Sequence, residues 1–288
     1  MKHLLLGSLL GCMLIGQVSC TEPTQEEAPK TVRFASYNIR RKGKEKKEER
    51  LWENRLPLVC ALLSQMSPDV IGLQEPTMEQ IKDLQQKLAH YDGIGQGRGS
   101  SWWGLGTDEA TPIFYNTERF ELITGDTFKI NETGSWWMPW QAGQTGWLPR
   151  ICTWVKLKDK QTDKMLYVYN THLDHQYAQA QENGISAILT HIKEHATDAP
   201  VILMGDFNST FEGNMKALLN DFGHVKELAE VTEGPHETRT GWDDQELKWI
   251  DHILVHPPEQ TKVYTYTVIA CDDYPSDHRP IFSDVQLP

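Results

Sequence analysis

The strongest constraint on this fold is a set of short apolar segments that each end on an acid, an amide or a histidine. In the clearest case, residues 201–204 predict a fully buried strand and residues 211–220 predict the helix after it. Asp206 and Asn208 lie between them, on the kind of strand-end loop where layered α/β folds place their binding sites. If extended geometry continues past the strand, both side chains point the same way. An Asx turn explains the two residues as well, so this segment alone leaves a turn and a site as alternatives.

Polar side chains of the same kind recur at other predicted strand ends. The six positions are Asn38, Glu75, His172 with Asp174, Asp206 with Asn208, Asp251, and Asp277 with His278. A turn or a hydrogen-bonded buried acid explains any one of them. Six such positions in one chain are hard to attribute to turns, and carboxylate and amide oxygens suit a hard metal ion and the phosphate that it holds.

Predicted strands and helices alternate along the rest of the chain. The strands are 31–39, 69–74, 91–95, 112–115, 121–130, 150–158, 165–170, 201–204, 248–256, 262–270 and 281–287, and the helices are 52–66, 77–90, 176–195 and 211–220. Residues 112–115 and 121–130 are expected to form a strand pair. The pattern predicts an α/β protein with a four-layer α-β-β-α sandwich, in which two stacked mixed sheets lie between helices.

The first segment, residues 1–19, is expected to be a leader rather than part of the fold. Lys2 gives it a basic start, and residues 4–15 are apolar but too few to span a membrane. Residues 17–20 resemble a bacterial lipobox, which implies a lipoprotein signal peptide and a lipid on Cys20. Secretion by ordinary cleavage is the alternative. The expected location is the cell envelope of a Gram-negative bacterium, with the chain anchored to the membrane through Cys20.

The remainder divides into a tether and one folded domain. Residues 20–30 are polar and contain two prolines, which predicts a flexible tether. Residues 31–288 form the domain. Three cysteines inside it, Cys60, Cys152 and Cys271, show neither a disulfide framework nor zinc-site spacing, which indicates buried free thiols.

The acidic charge of the chain limits its partners. A formal net charge of −12 repels polyanions at long range, so a phosphate substrate must be held locally, most simply by a metal. It also disfavours long duplex DNA, which needs a basic surface. The mixed-charge segment at 41–50 is expected to be a solvated loop or helix start, and in the alternative interpretation its lysines touch an anionic substrate.

Tryptophans are concentrated in one glycine-rich region. Six of the ten lie between residues 102 and 147, and Trp137 and Trp140 are central to the group. One interpretation is a satellite cluster that pins the loop. The other is a cleft wall on which a base or a sugar of the substrate stacks.

The strand-end segments together resemble the endonuclease/exonuclease/phosphatase family, which has the fold of deoxyribonuclease I, abasic-site endonucleases and neutral sphingomyelinases. The matching segments are Ser-Tyr-Asn-Ile at 36–39, Leu-Gln-Glu at 73–75, Asn-Thr-His-Leu at 170–173, Gly-Asp-Phe-Asn at 205–208, Trp-Ile-Asp-His-Ile at 249–253 and Ser-Asp-His at 276–278. They occur in the family's order and span residues 31–288, which implies one catalytic domain. Residues 148–154 and 205–210 are similar to an exported bacterial branch related to the deadenylase and nocturnin group.

The resemblance implies a metal site. Glu75 would be the principal ligand, Asn38 would lie beside it, and Asp277 would complete the metal region. Mg²⁺ is the expected ion, because it is hard, takes oxygen ligands and keeps waters for a substrate. Mn²⁺ is the possible substitute.

The resemblance also implies roles in in-line attack of water on phosphorus. Asp206 would orient or deprotonate the water, and Asn208 would position it. His278, held by Asp251, would stabilise charge on the phosphate. His172 would donate to a phosphate oxygen or assist the leaving group.

Four further residues are expected to bind substrate. They are Arg150, Asn170, Trp137 and Trp140. Arg150 is implied as a phosphate contact by the bacterial relatives, and a strand-edge salt bridge is the alternative.

The predicted function is an exported Mg²⁺-dependent phosphoesterase that hydrolyses a phosphodiester or a phosphomonoester. A nucleic-acid fragment, a sugar phosphate and a lipid headgroup all remain candidate substrates. The alternative is a surface lipoprotein that uses the same fold only to bind a ligand. A glycosidase would need two acids without the amides and histidines. No protein partner is evident, and a monomer is expected.

Overall fold

The structure is a computed structural model that describes residues 30–99, 109–131, 146 and 148–288. The predicted leader, almost all of the predicted tether, Trp137 and Trp140 lie outside the described residues. The division into leader, tether and domain therefore stays a prediction. Within the described ranges, no helix is long and apolar enough to cross a membrane.

Two mixed sheets form the centre of the molecule. The seven-stranded sheet contains, in spatial order, β10 (Val231–Glu233), β12 (Lys262–Val268), β13 (Ile281–Gln286), β1 (Val32–Asn38), β2 (Val70–Gln74), β4 (Ile113–Asn116) and β3 (Tyr91–Ile94). The six-stranded sheet contains β5 (Phe120–Lys129), β6 (Ile151–Asp159), β7 (Met165–His172), β8 (Val201–Asp206), β11 (Asp251–His256) and β9 (Gly223–His224). The described helices are α1 (Trp52–Met66), α2 (Met78–Lys87), α3 (Ala178–His195), α4 (Gly213–Leu218) and α5 (Val225–Leu228).

Three apolar clusters give the four layers expected from the sequence. Between the sheets, Phe34 and Val70 of one sheet pack with Ile202 and other residues of the second. On the outer face of the seven-stranded sheet, α1 and α2 cover a second cluster, and α3 with α4 covers the third on the outer face of the six-stranded sheet. The predicted α-β-β-α sandwich is confirmed.

The inward faces of the two sheets end on polar residues, and this positions the site. Side chains alternate along a strand, so Asn38 continues the inward face that contains Phe34. Asp206 continues the face of Ile202 in the same way. Both β1–β2 and β7–β8 pair in parallel, which brings their polar ends to one rim of the sandwich.

The register of β8 joins three predicted site residues directly. His172 of β7 and Asp251 of β11 are both backbone partners of Asp206, one on each side. Their Cα atoms are therefore fixed by main-chain hydrogen bonds rather than by loops, and the backbone already places two acids and a histidine side by side.

One predicted pairing is wrong. The sequence suggests that 112–115 and 121–130 pair with each other, but β4 pairs with β2 and β3, whereas β5 pairs with β6 in the other sheet. The connection crosses between the sheets at Arg119, whose guanidinium bonds to Asp69 at 2.8 Å and to Asp159 at 3.0 Å. These long-range ion pairs have no local signature that would distinguish the crossing from a hairpin.

Most other predicted elements exist, and their boundaries differ by a few residues. The predicted helix at 77–90 begins at Met78, because Thr77 is its N-cap in a capping box with Gln80, and it ends at Lys87 with Leu88 as its C-cap. The three cysteines of the domain are free, as expected, although only Cys152 among them is fully buried.

Candidate active site

A cleft of about 240 Å³ opens at the rim where the inward faces end. Seven of the predicted site residues line it: Glu75, Arg150, His172, Asp206, Asn208, Asp277 and His278. Asn38 and Asp251 lie directly behind this lining, each with no exposed surface. The structure therefore brings nine predicted residues from both sheets into one place.

Asp206 is at the centre of the site. Its Oδ2 atom lies 3.6 Å from His172 Nε2 and 3.7 Å from His278 Nε2. The same oxygen accepts a 3.0 Å hydrogen bond from Asn38 Nδ2, which crosses from the other sheet. Two histidines and an amide thus converge on one carboxylate.

A second carboxylate orients His278. The ring Nδ1 of His278 donates to Asp251 Oδ2 at 2.8 Å, and Asp251 is fully buried. This contact directs Nε2 of His278 towards Asp206 and the cleft. A carboxylate that holds a histidine in this way fixes both the ring orientation and the site of its proton.

Burial and mutual charge shift the pKa values of these groups in different directions. Burial, reinforced by the charge of Asp251, raises the pKa of Asp206 to about 7. Burial lowers the pKa of His278, but Asp251 and Asp206 outweigh it and raise the value to about 10. At neutral pH His278 is therefore charged, while Asp206 is close to half-ionised. Groups poised in this way are typical of catalytic sites.

His172 is the neutral member of the group. Burial, and then the nearby charges of Arg150 and Arg98, keep its pKa well below 6.5. At neutral pH its ring can donate a hydrogen bond from its single N–H, but it carries no charge.

The segment after β8 is both a turn and part of the site. The main-chain N–H of Asn208 donates to Asp206 Oδ1 at 2.9 Å, which is an Asx turn, and Asn208 has a φ of 51°. Its side-chain amide donates to the carbonyl of Leu173 at 3.1 Å. The turn that the sequence leaves as one alternative is therefore present, and it places Asn208 in the lining of the cleft, while a functional role for the segment stays a prediction.

The predicted metal residues form a second group beside Asp206. Asn38 Nδ2 lies 3.3 Å from Glu75 Oε1. Arg40 Nη1 lies between two carboxylates, 3.7 Å from Glu75 and 3.3 Å from Asp277. Burial raises the pKa of Glu75, but the charges of Arg40 and His278 outweigh it and leave the pKa lowered, so this carboxylate is ionised.

Two sets of side chains offer ligand atoms to a cation. Asp206, Asp251 and His278 place three such atoms within 4.8 Å of one another. However, Nδ1 of His278 and Oδ2 of Asp251 already share a 2.8 Å hydrogen bond, so this set is engaged in holding the histidine. The carboxylates of Glu75 and Asp277 line the cleft on either side of Arg40, and this pair fits a hard divalent cation better, with Arg40 sharing or yielding its contacts.

Arginine and lysine side chains in the cleft were predicted only in part. Besides the charged His278, six of them line it: Arg40, Lys44, Arg98, Arg150, Arg239 and Lys248. Arg150 was predicted as a phosphate contact, and Lys44 belongs to the segment whose lysines were the alternative contact. Arg40 directly follows a strand-end motif, whereas Arg98, Arg239 and Lys248 have no local signal in the sequence. Although the whole chain is acidic, its cleft is not.

Arg55, on α1, positions the site without lining it. It is 1% exposed, and its guanidinium donates to four main-chain carbonyls. They belong to Ile39, Arg40, Arg50 and Pro275, at distances between 2.6 and 2.9 Å. One arginine therefore ties the loop after Asn38 to the loop before Asp277 and His278.

Asn170 does not reach the cleft. It has no exposed surface, and its amide donates to the carbonyls of Leu73 at 2.8 Å and Pro112 at 2.9 Å. Its oxygen accepts from Gln74 at 2.7 Å. Both polar atoms of the Asn170 side chain are hydrogen-bonded across the two sheets. The residue therefore links the sheets, and its predicted contact with substrate gains no support.

Comparisons with known proteins find a family and solved structures that this chain resembles. A model of the endonuclease/exonuclease/phosphatase family matches residues 35–278. A crystal structure of an endonuclease/exonuclease/phosphatase from Bacteroides vulgatus is 30% identical, with a TM-score of 0.78 over 90% of this chain and 99% of that one. A mannosyl-6-phosphatase from Bacteroides thetaiotaomicron is 28% identical, with a TM-score of 0.73 over 88% and 99% of the two chains. The catalytic domain of human nocturnin, at 19% identity, shares the fold with a TM-score of 0.69 over 90% and 94%.

Proposed function

The chain belongs to the endonuclease/exonuclease/phosphatase family, whose members hydrolyse phosphoester bonds, and from this premise we propose a specific reaction for its cleft. The reaction is attack of water on the phosphorus of a phosphate ester, assisted by Mg²⁺ and carried out outside the cytoplasm. The observation that carries the proposal is the buried Asp206, whose Oδ2 atom lies 3.6 Å from His172 Nε2 and 3.7 Å from His278 Nε2 at the cleft.

Asp206 serves as the base. A carboxylate with a pKa near the working pH is basic enough to accept a proton from water, and close to half of it is ionised at neutral pH. Asn38 and the turn N–H of Asn208 hold its two oxygens, so the orientation of the carboxylate is set before substrate binds. Asn208 faces the same cleft and positions the phosphate next to that water.

The two histidines stabilise charge that grows on the phosphate oxygens. His278 is cationic and is held in place by Asp251, so it contributes electrostatic stabilisation that needs no rearrangement. His172 is neutral, so a hydrogen bond to a phosphate oxygen suits it better than transfer of a proton to the leaving group.

Glu75 and Asp277, with Asn38 beside them, are the residues that would hold the divalent cation. When bound, such an ion neutralises charge on the phosphate and on the departing oxygen. Mg²⁺ is the proposed ion, and Mn²⁺ the substitute, because Glu75 and Asp277 supply carboxylate oxygens, while Asn38 donates its amide Nδ2 to Glu75 and so supports that carboxylate.

A sugar phosphate is the substrate class that we favour. One relative of similar length, 28% identical to this chain, is a mannosyl-6-phosphatase. The cleft is small and polar, and its six cationic side chains suit a compact anionic ester rather than a long duplex.

A direct assay tests the reaction. We expect the purified protein to hydrolyse p-nitrophenyl phosphate or bis-p-nitrophenyl phosphate with Mg²⁺ or Mn²⁺, and EDTA to abolish the activity. Asp206→Ala and His278→Ala should each lose roughly a hundredfold or more in kcat. The surface variant Asp198→Asn, which changes contacts with Lys156 and the Tyr167 hydroxyl but does not line the cleft, should match the wild type. Activity that survives EDTA or Asp206→Ala would rule out the mechanism.

We propose that the protein is exported from the cytoplasm and anchored to the membrane through a lipid on Cys20. This proposal rests on the apolar leader and the residues around Cys20. Labelled palmitate should enter the wild-type protein in a bacterial host but not Cys20→Ser, and unlabelled, secreted wild type would favour ordinary cleavage instead. We also propose a monomer, which light scattering of the purified protein checks.

A further inference from the structure

One side of the cleft carries positive charge that the reacting groups do not use. Arg98 and Arg150 are 8% and 4% exposed, yet both line the cleft. Lys44 and His175 lie on the same side. Buried guanidinium groups are unfavourable unless an anion or a full set of acceptors compensates them.

Arg150 is the clearest case of incomplete compensation. Its guanidinium donates to the carbonyl of His172 at a long 3.3 Å and to Nδ1 of His175 at 3.0 Å, and its Nε has no partner. Among the residues that the structure describes, no carboxylate lies within ion-pair distance of it. Its direct contacts are thus a neutral carbonyl and a neutral imidazole, and the charges of Asp174, Glu109 and Asp206 act on it without a direct ion pair.

Asp174 and then Glu109 are the acids whose charges favour the charged form of Arg150 most, and Glu109 is already shared. Glu109 accepts from Arg98 at 2.8 Å and lies 3.5 Å from Arg41. One carboxylate thus serves two arginines. Burial, followed by repulsion from Arg98, lowers the pKa of Arg150 to about 10, so it remains charged at neutral pH.

This cationic side is separate from the reacting groups. His172 lies between them, because its ring Nε2 faces Asp206 while its carbonyl oxygen faces Arg150. The phosphate that reacts must lie next to Asp206 and His278, which leaves the guanidinium of Arg150 to a different part of the substrate.

We infer that the Arg98–Arg150 side of the cleft binds a second anionic group of the substrate, which is not hydrolysed. The preferred substrates are then phosphate esters with two anionic groups, such as a sugar bisphosphate or a phosphorylated uronic acid. This inference rests on the proposed function, since it assigns the other anionic group to the catalytic centre.

Ligand binding to a catalytically inactive variant tests the inference without hydrolysis of the ligand. In the Asp206→Asn background, calorimetry compares glucose 1-phosphate with glucose 1,6-bisphosphate and with glucuronic acid 1-phosphate, and adenosine 5′-monophosphate with adenosine 3′,5′-bisphosphate. We expect at least one ligand with two anionic groups to bind about tenfold or more tightly than the matched monophosphate, the size of one or two charge-assisted hydrogen bonds. The bisphosphates and glucuronic acid 1-phosphate show whether the second group that binds is a phosphate or a carboxylate.

Adding Arg150→Met should remove most of that preference and leave binding of the matched monophosphate much less affected. Lys248→Met is the control, since Lys248 lines the cleft from another loop and should change both affinities by the same factor. The inference is overturned if neither ligand set shows a preference, or if Arg150→Met weakens both members of a pair equally. If the protein prefers ligands with two anionic groups but hydrolyses no phosphoester, the proposed function is wrong and the second anion site is still supported.

Discussion

Replacing Arg55 by methionine removes the guanidinium that joins the two loops beside Asp206 while keeping a long side chain in a buried position. The carbonyls of Ile39, Arg50 and Pro275 lose their hydrogen-bond donor. The carbonyl of Arg40 keeps a donor, because the amide of Gln80 also bonds to it, at 3.1 Å. Each orphaned acceptor costs about 1–3 kcal/mol. Relief from burying a charge offsets part of the sum, so we expect a net loss of about 4 kcal/mol.

The effect on catalysis has a different origin. The loop after Asn38 and the loop before Asp277 both rest on Arg55, so its removal lets Arg40 and His278 shift relative to Asp206. A displacement of about 1 Å at a reacting group costs on the order of a hundredfold. We therefore expect kcat to fall by that factor, with KM changing much less because most of the cationic lining stays in place.

Urea unfolding at pH 7 and steady-state kinetics under folding conditions measure the two effects separately. Arg55→Lys keeps the charge and some donors, and it should recover part of both losses. If Arg55→Met unfolds within about 1 kcal/mol of the wild type, the argument from orphaned carbonyls fails. If stability falls as expected but kcat does not change, Arg55 supports the fold and does not position the site.

Three further outcomes follow from single contacts. Asp206→Asn should lower kcat by roughly a hundredfold or more with little change in KM, because the variant keeps the shape but cannot accept the proton; rate measurements with p-nitrophenyl phosphate check this. Gly205→Ala should destabilise the protein by about 3 kcal/mol or more, since its Cβ would lie 2.0 Å from the carbonyl oxygen of Thr171 at a φ of +145°; an unchanged urea midpoint would contradict it. Burial raises the pKa of Asp284, but the hydrogen bonds and charge of Arg33 outweigh it and leave the pKa lowered. This pair therefore stabilises the fold above the unfolded pKa of 3.8 and loses that contribution as the pH falls through the lower folded value. The stability gap between wild type and Asp284→Asn should accordingly be about 1 kcal/mol at pH 7 and shrink below pH 4.

Much of the fold and the centre of the site could be predicted, because both depend on local patterns. Asp206 and Asp251 stand at the ends of apolar strands, and alternation along each strand decides which way they point. The crossing at Arg119 could not be predicted, since its partners lie far away in the sequence. The same holds for Arg98, which reaches the cleft from a loop.

Asn170 shows why a motif residue need not touch a substrate. It has the same inward orientation as His172, two residues later, but it lies deeper between the sheets and is fully bonded there. Sequence spacing gives the direction of a side chain but not its depth, and depth decides whether a polar residue catalyses or packs.

The position of Asn170 also has a mechanical consequence. Asn38 and Glu75 belong to one sheet, and His172 and Asp206 belong to the other. The catalytic centre therefore forms only where the two sheets meet. Asn170 bridges the two sheets, and Gly72 leaves room for it, since a Cβ at Gly72 would lie 2.8 Å from the amide of Asn170. The distances within the catalytic centre therefore depend on how the two sheets are aligned. A substitution at Asn170 or Gly72 would change the catalytic rate by shifting one sheet relative to the other, without altering any group that faces the substrate.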